Sequence, residues 1–158
     1  MHKASHVSGS ATGSPTSAFT SSPDKRDEAT RLGADEVASS TSVKEIRALA
    51  NRFDFLLCTV PARLDWITYL LTLRPNGILC LVGAPPGVMQ ILAAPLLLGQ
   101  RVICGSDIGS PRLIRETLSF CAEHGIASQV ETAPLEEVNA AIQRVRENRV
   151  RYRMVLTR

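Results

Sequence analysis

At 158 residues the chain fits one ordinary domain, large enough to bury a real core. Hydrophobic residues make up 44% and charged residues 21%, with a net charge of +3, which is a normal soluble globular mixture. Aromatics reach only 4%, with no basic stripe interleaved among them, so nucleic-acid binding has no support; no apolar run approaches the roughly 18–20 residues of a membrane span.

Residues 1–15 are rich in Ser, Gly, Thr and Ala without an apolar period and read as a disordered leader lacking a signal-type apolar core. A short strand-like piece, Ser17-Ala-Phe-Thr-Ser21, comes next, and Ser22-Pro23-Asp24 is a helix start with Ser22 as N-cap. That helix is expected to run to about Leu32 and stop at Gly33. A short strand over Glu36-Val37-Ala38 and a helix over residues 43–51 follow. Residues 53–58 form a continuous apolar strand, whose continuity predicts burial on both faces as in a parallel sheet.

Further along, residues 64–73 read as helix, Asn76-Gly77 as a turn, and residues 78–82 as a second such strand. The stretch 85–100 holds Pro85, Pro86 and Gly87, then an apolar run with Pro95 and Gly99. A strand is expected over 101–105, a helix over 112–124 closed by Gly125, a strand over 127–133, an amphipathic helix over 135–147 and a closing strand over 150–156. This alternation predicts an open, mostly parallel α/β sheet, in which ligands sit beyond the carboxyl ends of the strands.

Three of the four cysteines, Cys58, Cys80 and Cys104, sit in apolar strand-like runs, and neither they nor Cys121 form a Cys-x-x-Cys pair. They are expected to be buried, reduced thiols, which suits a cytoplasmic location. His2 and His6 have helical spacing but no Cys or acidic neighbour, and Ser8-Gly-Ser-Ala-Thr-Gly13 has the wrong spacing and context for a phosphate loop.

Several segments, in this order and spacing, resemble the zinc-dependent medium-chain alcohol dehydrogenases, most closely the cinnamyl alcohol dehydrogenase-like branch. They are Thr20-Ser-Ser-Pro-Asp-Lys25 with Leu32-Gly-Ala-Asp-Glu36, Phe53-Asp-Phe, Leu81-Val-Gly-Ala-Pro85, Gly105-Ser-x-Ile-Gly109, Phe120-Cys-Ala-Glu-His-Gly-Ile126 and Val150-Arg-Tyr-Arg153. The resemblance covers roughly residues 16–158. It implies a Rossmann-like, doubly wound, mostly parallel sheet without the family's first strand and Gly-rich loop. Residues 16–134 would be a truncated dinucleotide-binding domain, and 135–158 a helix and strand that pack back towards a catalytic domain in relatives. The first strand's absence would leave two apolar strand edges without their usual partner, and a chain less stable than its length suggests.

The same likeness assigns a site. Thr20, Ser21, Ser22 and Lys25 take the place where a dehydrogenase using NAD has an acidic side chain for the ribose 2′-OH. Hydroxyls, a helix N-terminus and a cation suit a 2′-phosphate instead, so NADP is the implied cofactor. Thr59 and Val60 would border the cofactor, Val82, Gly83 and Ala84 would hold the nicotinamide amide together with Ser106 and Ile108, and Arg153 would reach the pyrophosphate. The family's zinc ligands have no counterpart in this sequence, so alcohol/aldehyde oxidoreduction by hydride transfer is expected of the family and not of this chain alone. The alternative is a non-catalytic nucleotide-binding or dimerisation module, pairing with itself or with a full-length relative through residues 88–105.

Overall fold

The computed structural model describes residues 13–147 and 149–158, so most of the leader expected over 1–15, with His2 and His6, lies outside the described residues. The chain divides into two compact units, one ending at Ile108 and one running from Gly109 to Arg158. In the second unit the strand at 130–134 finds its ladder partner near the C-terminus.

In the first unit, β1 (Ser17–Thr20), α1 (Asp24–Arg31) and β2 (Glu36–Ser39) form a strand–helix–strand unit in which β1 and β2 pair in parallel from Ser17↔Glu36 to Thr20↔Ser39. The Asp35 carboxylate accepts from the Thr16 amide at 2.7 Å, which fixes the entry to both strands. Gly33, at φ +98°, ends α1 in a conformation that L side chains resist. The start of α1 differs from expectation: its N-cap is Pro23 and no side chain caps it, so the Ser22 hydroxyl does not serve the helix end. Helix α2 (Val43–Ala48) is capped by Ser42, whose hydroxyl accepts from the Glu45 amide.

The second sheet holds β3 (Phe53–Cys58), β4 (Leu73–Leu81) and β5 (Val102–Gly105), all parallel and in that order, linked by α3 (Trp66–Thr72) and α4 (Ala93–Gly99). Leu56, Leu79 and Ile103 line up across the three strands and pack with Trp66, Leu70 and Leu73 into the core. Side chains alternate between faces along a strand, and the opposite row carries Phe55 at 55% exposure and the exposed Cys104. Burial on both faces is therefore not what this sheet shows: α3 and α4 cover one face. Cys104, on the edge strand and on the open face, is correspondingly exposed where a buried thiol was expected.

Two further local differences have simple causes. Asn76-Gly77 does turn, with Asn76 at φ +65°, but it does so as an irregularity inside β4: pairing passes from Phe53↔Leu73 directly to Phe55↔Ile78. Helix α4 arises in the stretch left without an element, because Pro95 falls in its first turn, where a missing amide proton leaves no hydrogen bond unmade. Arg101 then ties the unit's base together, donating to the carbonyls of Leu73 and Pro95 and to Asn51 Oδ1 at 2.8–2.9 Å.

Among the described residues, β1 pairs only with β2 and β3 only with β4, so one edge of each strand has no ladder partner. Side chains span the seam: the Phe19 ring meets Phe53 at 5.9 Å and Tyr69 at 5.3 Å, both edge-on. Burial of the Tyr69 phenol pushes its pKa up to about 12.

In the second unit, α5 (Pro111–Glu123) starts with a Ser110 cap and Pro111 at its first position. Strands β6 (Val130–Pro134) and β7 (Arg153–Thr157) pair in parallel and are joined through a 3-10 turn (Leu135–Glu137) and α6 (Val138–Arg146). Glu131 holds this link, accepting from the Arg151 amide and pairing with Arg144. These contacts keep its carboxyl below the usual range, the amide contributing most. No helix among the described residues is long and apolar enough to cross a membrane.

Two outcomes follow from this packing. Leu79→Ala, at a site with 0% exposure, lowers the unfolding free energy by about 2–5 kcal/mol, whereas Leu98→Ala, at 88% exposure, changes it by less than about 0.5 kcal/mol; urea denaturation distinguishes the two. Asp65 caps α3, accepting from the Thr68 hydroxyl at 2.6 Å and the Thr68 amide at 3.2 Å, and these bonds lower its pKa. A depressed carboxylate pKa contributes stability that is fully present above the unfolded value and fades as pH falls through the folded one. The stability gap between wild type and Asp65→Asn is thus widest near neutrality and shrinks below about pH 3.9, as urea midpoints across pH will show.

Candidate functional site

Three strands end side by side at the carboxyl edge of the larger sheet, and the backbone there is tightly specified. The Cys58 carbonyl accepts from the amides of both Val82 (2.8 Å) and Gly83 (3.0 Å), so the turn leaving β4 folds over the end of β3. A side chain at position 83 has no room: its Cβ would lie 2.6 Å from the Thr59 carbonyl carbon and 2.9 Å from that of Val60. The Ser106 amide donates to Leu81 O at 2.9 Å, which brings the turn after β5 to the same edge. Thr59, Val60, Val82, Gly83 and Ser106 are thereby gathered into one continuous rim. Ala84 follows Gly83, exposed, and Ile108 is also exposed at the end of this unit.

The tip of β1 carries the second group. Thr20 is 3% exposed, and its hydroxyl is occupied within the turn, accepting from the Ser22 amide at 3.3 Å and lying 3.4 Å from Ser22 O as a donor. Ser21 and Ser22 are half-buried, and the Lys25 amide donates to Ser22 O at 3.1 Å, which sets Lys25 in the first turn of α1. The tip therefore offers two serine hydroxyls and a lysine, with Thr20 as the residue that shapes the turn. Arg153 lies in the other unit, exposed at the start of β7 opposite Val130.

One residue at the rim escaped the sequence reading. The Arg63 guanidinium lies beside Gly87, 3.2 Å from where a Cβ would be, which puts a cation between the loops after β3 and β4. No local motif signals it, since its position depends on the left-handed turn at Gly87 (φ +79°). A shallow groove lined by Ile46, Arg47, Asp65, Thr68 and Leu71 lies between α2 and α3 and contains none of the site residues.

Among the described residues no three His, Cys, Asp or Glu side chains converge to hold a metal ion. His124 is the C-cap residue of α5, its Nδ1 3.0 Å from Phe120 O and its ring stacked on Phe120. The described residues do not fit a zinc centre. They do fit a nucleotide: a side-chain-free turn for a planar ring at one edge, and hydroxyls with a cation at a strand tip for a phosphate.

Parallel strands, helical crossovers and glycine-dependent turns at the carboxyl edge define a Rossmann-type α/β protein. The chain belongs to the zinc-binding dehydrogenase family, whose family model matches residues 9–123. It is 36% identical over 145 residues to the aldehyde reductase AdhA of Synechocystis, covering 92% of this chain and 43% of that relative. A cinnamyl alcohol dehydrogenase structure from Sorghum bicolor superposes with a TM-score of 0.86 at 35% identity, covering 93% of this chain and 42% of the other. The cinnamyl alcohol dehydrogenase structure from Helicobacter pylori, a complex with NADP(H), gives 0.77 at 26% identity, with coverage of 93% and 42%. The chain thus spans less than half the length of these relatives.

The crowding at the rim gives a direct test. Gly83→Ala costs roughly 1–3 kcal/mol because backbone, not a flexible side chain, opposes the new methyl. Gly105→Ala, whose Cβ would meet only Leu81 O at 3.9 Å, stays within about 0.5 kcal/mol. Thermal unfolding of the two variants checks the contrast.

Proposed function

We propose that this chain is the cofactor-holding part of an NADP-dependent alcohol dehydrogenase of the zinc type, whose family reaction interconverts alcohols and aldehydes by hydride transfer. The observation that carries the reading is the tip of β1, where Ser21, Ser22 and Lys25 stand at the N-terminus of α1 in place of a carboxylate. A carboxylate there accepts from a ribose 2′-OH and repels a 2′-phosphate; hydroxyls and an ammonium do the reverse. The NADP(H) complex of the Helicobacter pylori relative supports the same choice.

In this reading Thr20 shapes the turn, Ser21, Ser22 and Lys25 hold the 2′-phosphate, and Thr59 and Val60 border the dinucleotide. The backbone of Val82, Gly83 and Ala84, with Ser106 and Ile108, orients the carboxamide. The bound dinucleotide supplies the hydride chemistry. Residues 16–134 form the binding part and 135–158 the segment that packs towards a catalytic domain. With no set of metal ligands converging among its described residues, the chain binds without turning over, in the cytoplasm. A non-catalytic pairing role is the second reading, favoured by Val88, Leu97 and Leu98, all exposed within 88–105; light scattering tests for a homodimer or a complex with a full-length relative.

Calorimetric titration of the 158-residue chain with NADP⁺ and NAD⁺ tests the main reading. NADP⁺ binds at least about tenfold more tightly, and Lys25→Glu removes that preference, as loss of one charge-assisted hydrogen bond of about 1.5–3 kcal/mol requires. Equal affinities, or a preference for NAD⁺, would overturn it. The purified chain shows no NADPH-linked aldehyde reduction, with or without added zinc; robust turnover would sink the claim of inactivity.

A further inference from the structure

Of the four cysteines, Cys80 and Cys104 alone stand directly opposite one another on neighbouring strands, in the parallel ladder of β4 and β5. Neighbouring strands lie about 4.8 Å apart, inside the window of about 4.4–6.8 Å between Cα atoms that a disulfide spans. Residues paired in this way point to the same face of the sheet. Cys58 stands in the row of Leu81 and Gly105, on the other face, and Cys121 lies on α5 in the other unit. The two thiols of the pair differ in access: Cys80 is 7% exposed, whereas Cys104 lies open on the edge strand.

We propose that Cys80 and Cys104 form a reversible disulfide site, loaded by thiol–disulfide exchange with a low-molecular-weight disulfide of the glutathione class. Cys104, as its thiolate, attacks one sulfur of that disulfide; the S–S bond breaks, one thiolate leaves with the electron pair, and a mixed disulfide forms on Cys104. The Cys80 thiol then gives up its proton to solvent and attacks Cys104 Sγ, expelling the second thiolate. Two protein thiols are oxidised to one cystine, and one small disulfide is reduced to two thiols. The order follows from exposure; burial, with the neighbouring Cys104 adding to it, pushes the Cys80 thiol pKa up, which makes Cys80 the poorer first nucleophile.

The bridge would sit one residue inside the rim, since the next pair along the ladder is Leu81↔Gly105. Relaxed disulfides hold their Cβ atoms about 3.8 Å apart, closer than ladder spacing, so the link is readily reduced. The inference rests on register and exposure and is independent of the dinucleotide reading.

The experiment exposes the 158-residue chain to oxidised glutathione, alkylates the remaining thiols and digests it with trypsin without reductant. Arg101 separates the two cysteines, so a bridge links two different peptides. The expected result is a Cys80–Cys104 peptide pair from monomeric protein, with Cys58 and Cys121 alkylated, and full reversal by excess reduced glutathione. Cys121→Ser forms the bridge as wild type does. Cys104→Ser, a change at an exposed position with an unaltered circular dichroism spectrum, forms none and leaves Cys80 unmodified. A lasting glutathione adduct on wild-type Cys104, a link between two chains, or four alkylated thiols overturns the proposal.

Discussion

The Cys58 carbonyl, accepting from two successive amides of the turn that leaves β4, is the contact on which the candidate site depends. It draws Val82 and Gly83 across the end of β3, so that no side chain fits at position 83 and the backbones of two loops touch. A third loop joins through Ser106 and Leu81 O. The rim is thus built from main chain, which cannot swing away as a side chain can. The strand ladder beneath fixes it, and the row of buried Leu79 with half-buried Leu56 and Ile103 fixes the ladder. The shape of the rim is a consequence of the packing beneath it.

The seam between β1 and β3 follows a different logic. Strands with one unpaired edge each are held by side chains, with Phe19 of β1 set against Phe53 and Tyr69. Ring contacts of this kind contribute about 0.5–1.5 kcal/mol beyond their burial, less than a full ladder of backbone bonds would. Arg52 adds a salt bridge to Glu36 across the base, between groups exposed enough for water to screen it. The two groups of site residues, at the β1 tip and at the rim, are therefore each rigid internally and joined through the softer part of the unit. A ligand long enough to touch both would stabilise the seam by contacting each side of it.

Much of the fold was legible in the sequence because its signals are local. Gly33 ends α1, Pro111 opens α5, and the apolar runs at 53–58 and 78–81 are parallel strands. Departures arose where a local rule had two solutions. The apolar run at 85–100 gives no clear periodic signal around Pro95, yet Pro95 is tolerated in the first turn of α4. Continuous apolar runs predict two buried faces, yet whether both are covered depends on what packs there, and Phe55 and Cys104 show that one is open. Ser22 before Pro23 looks like a cap, but Thr20 claims the turn first, accepting from the Ser22 amide. For the site, sequence could nominate strand ends; the contact between Gly83 and Thr59, and the place of Arg63, need three dimensions.

Binding a dinucleotide and activating a substrate require different kinds of group. Orienting a dinucleotide takes backbone amides, hydroxyls and a cation at strand ends, and parallel strands supply such positions wherever the fold forms. Polarising a substrate oxygen takes several ligands converging on one point, which an open sheet edge does not provide by itself; among the described residues none do. The half-exposed sheet makes the same distinction visible in another way. Its covered face carries the core, while its open face presents Phe55, Val102 and Cys104 to whatever approaches. Cys104 is reactive in prospect because it lies on the edge strand, whereas Cys80, on the same face, lies on the central strand and is buried. An uncovered face is thus the place where the environment acts on this fold first.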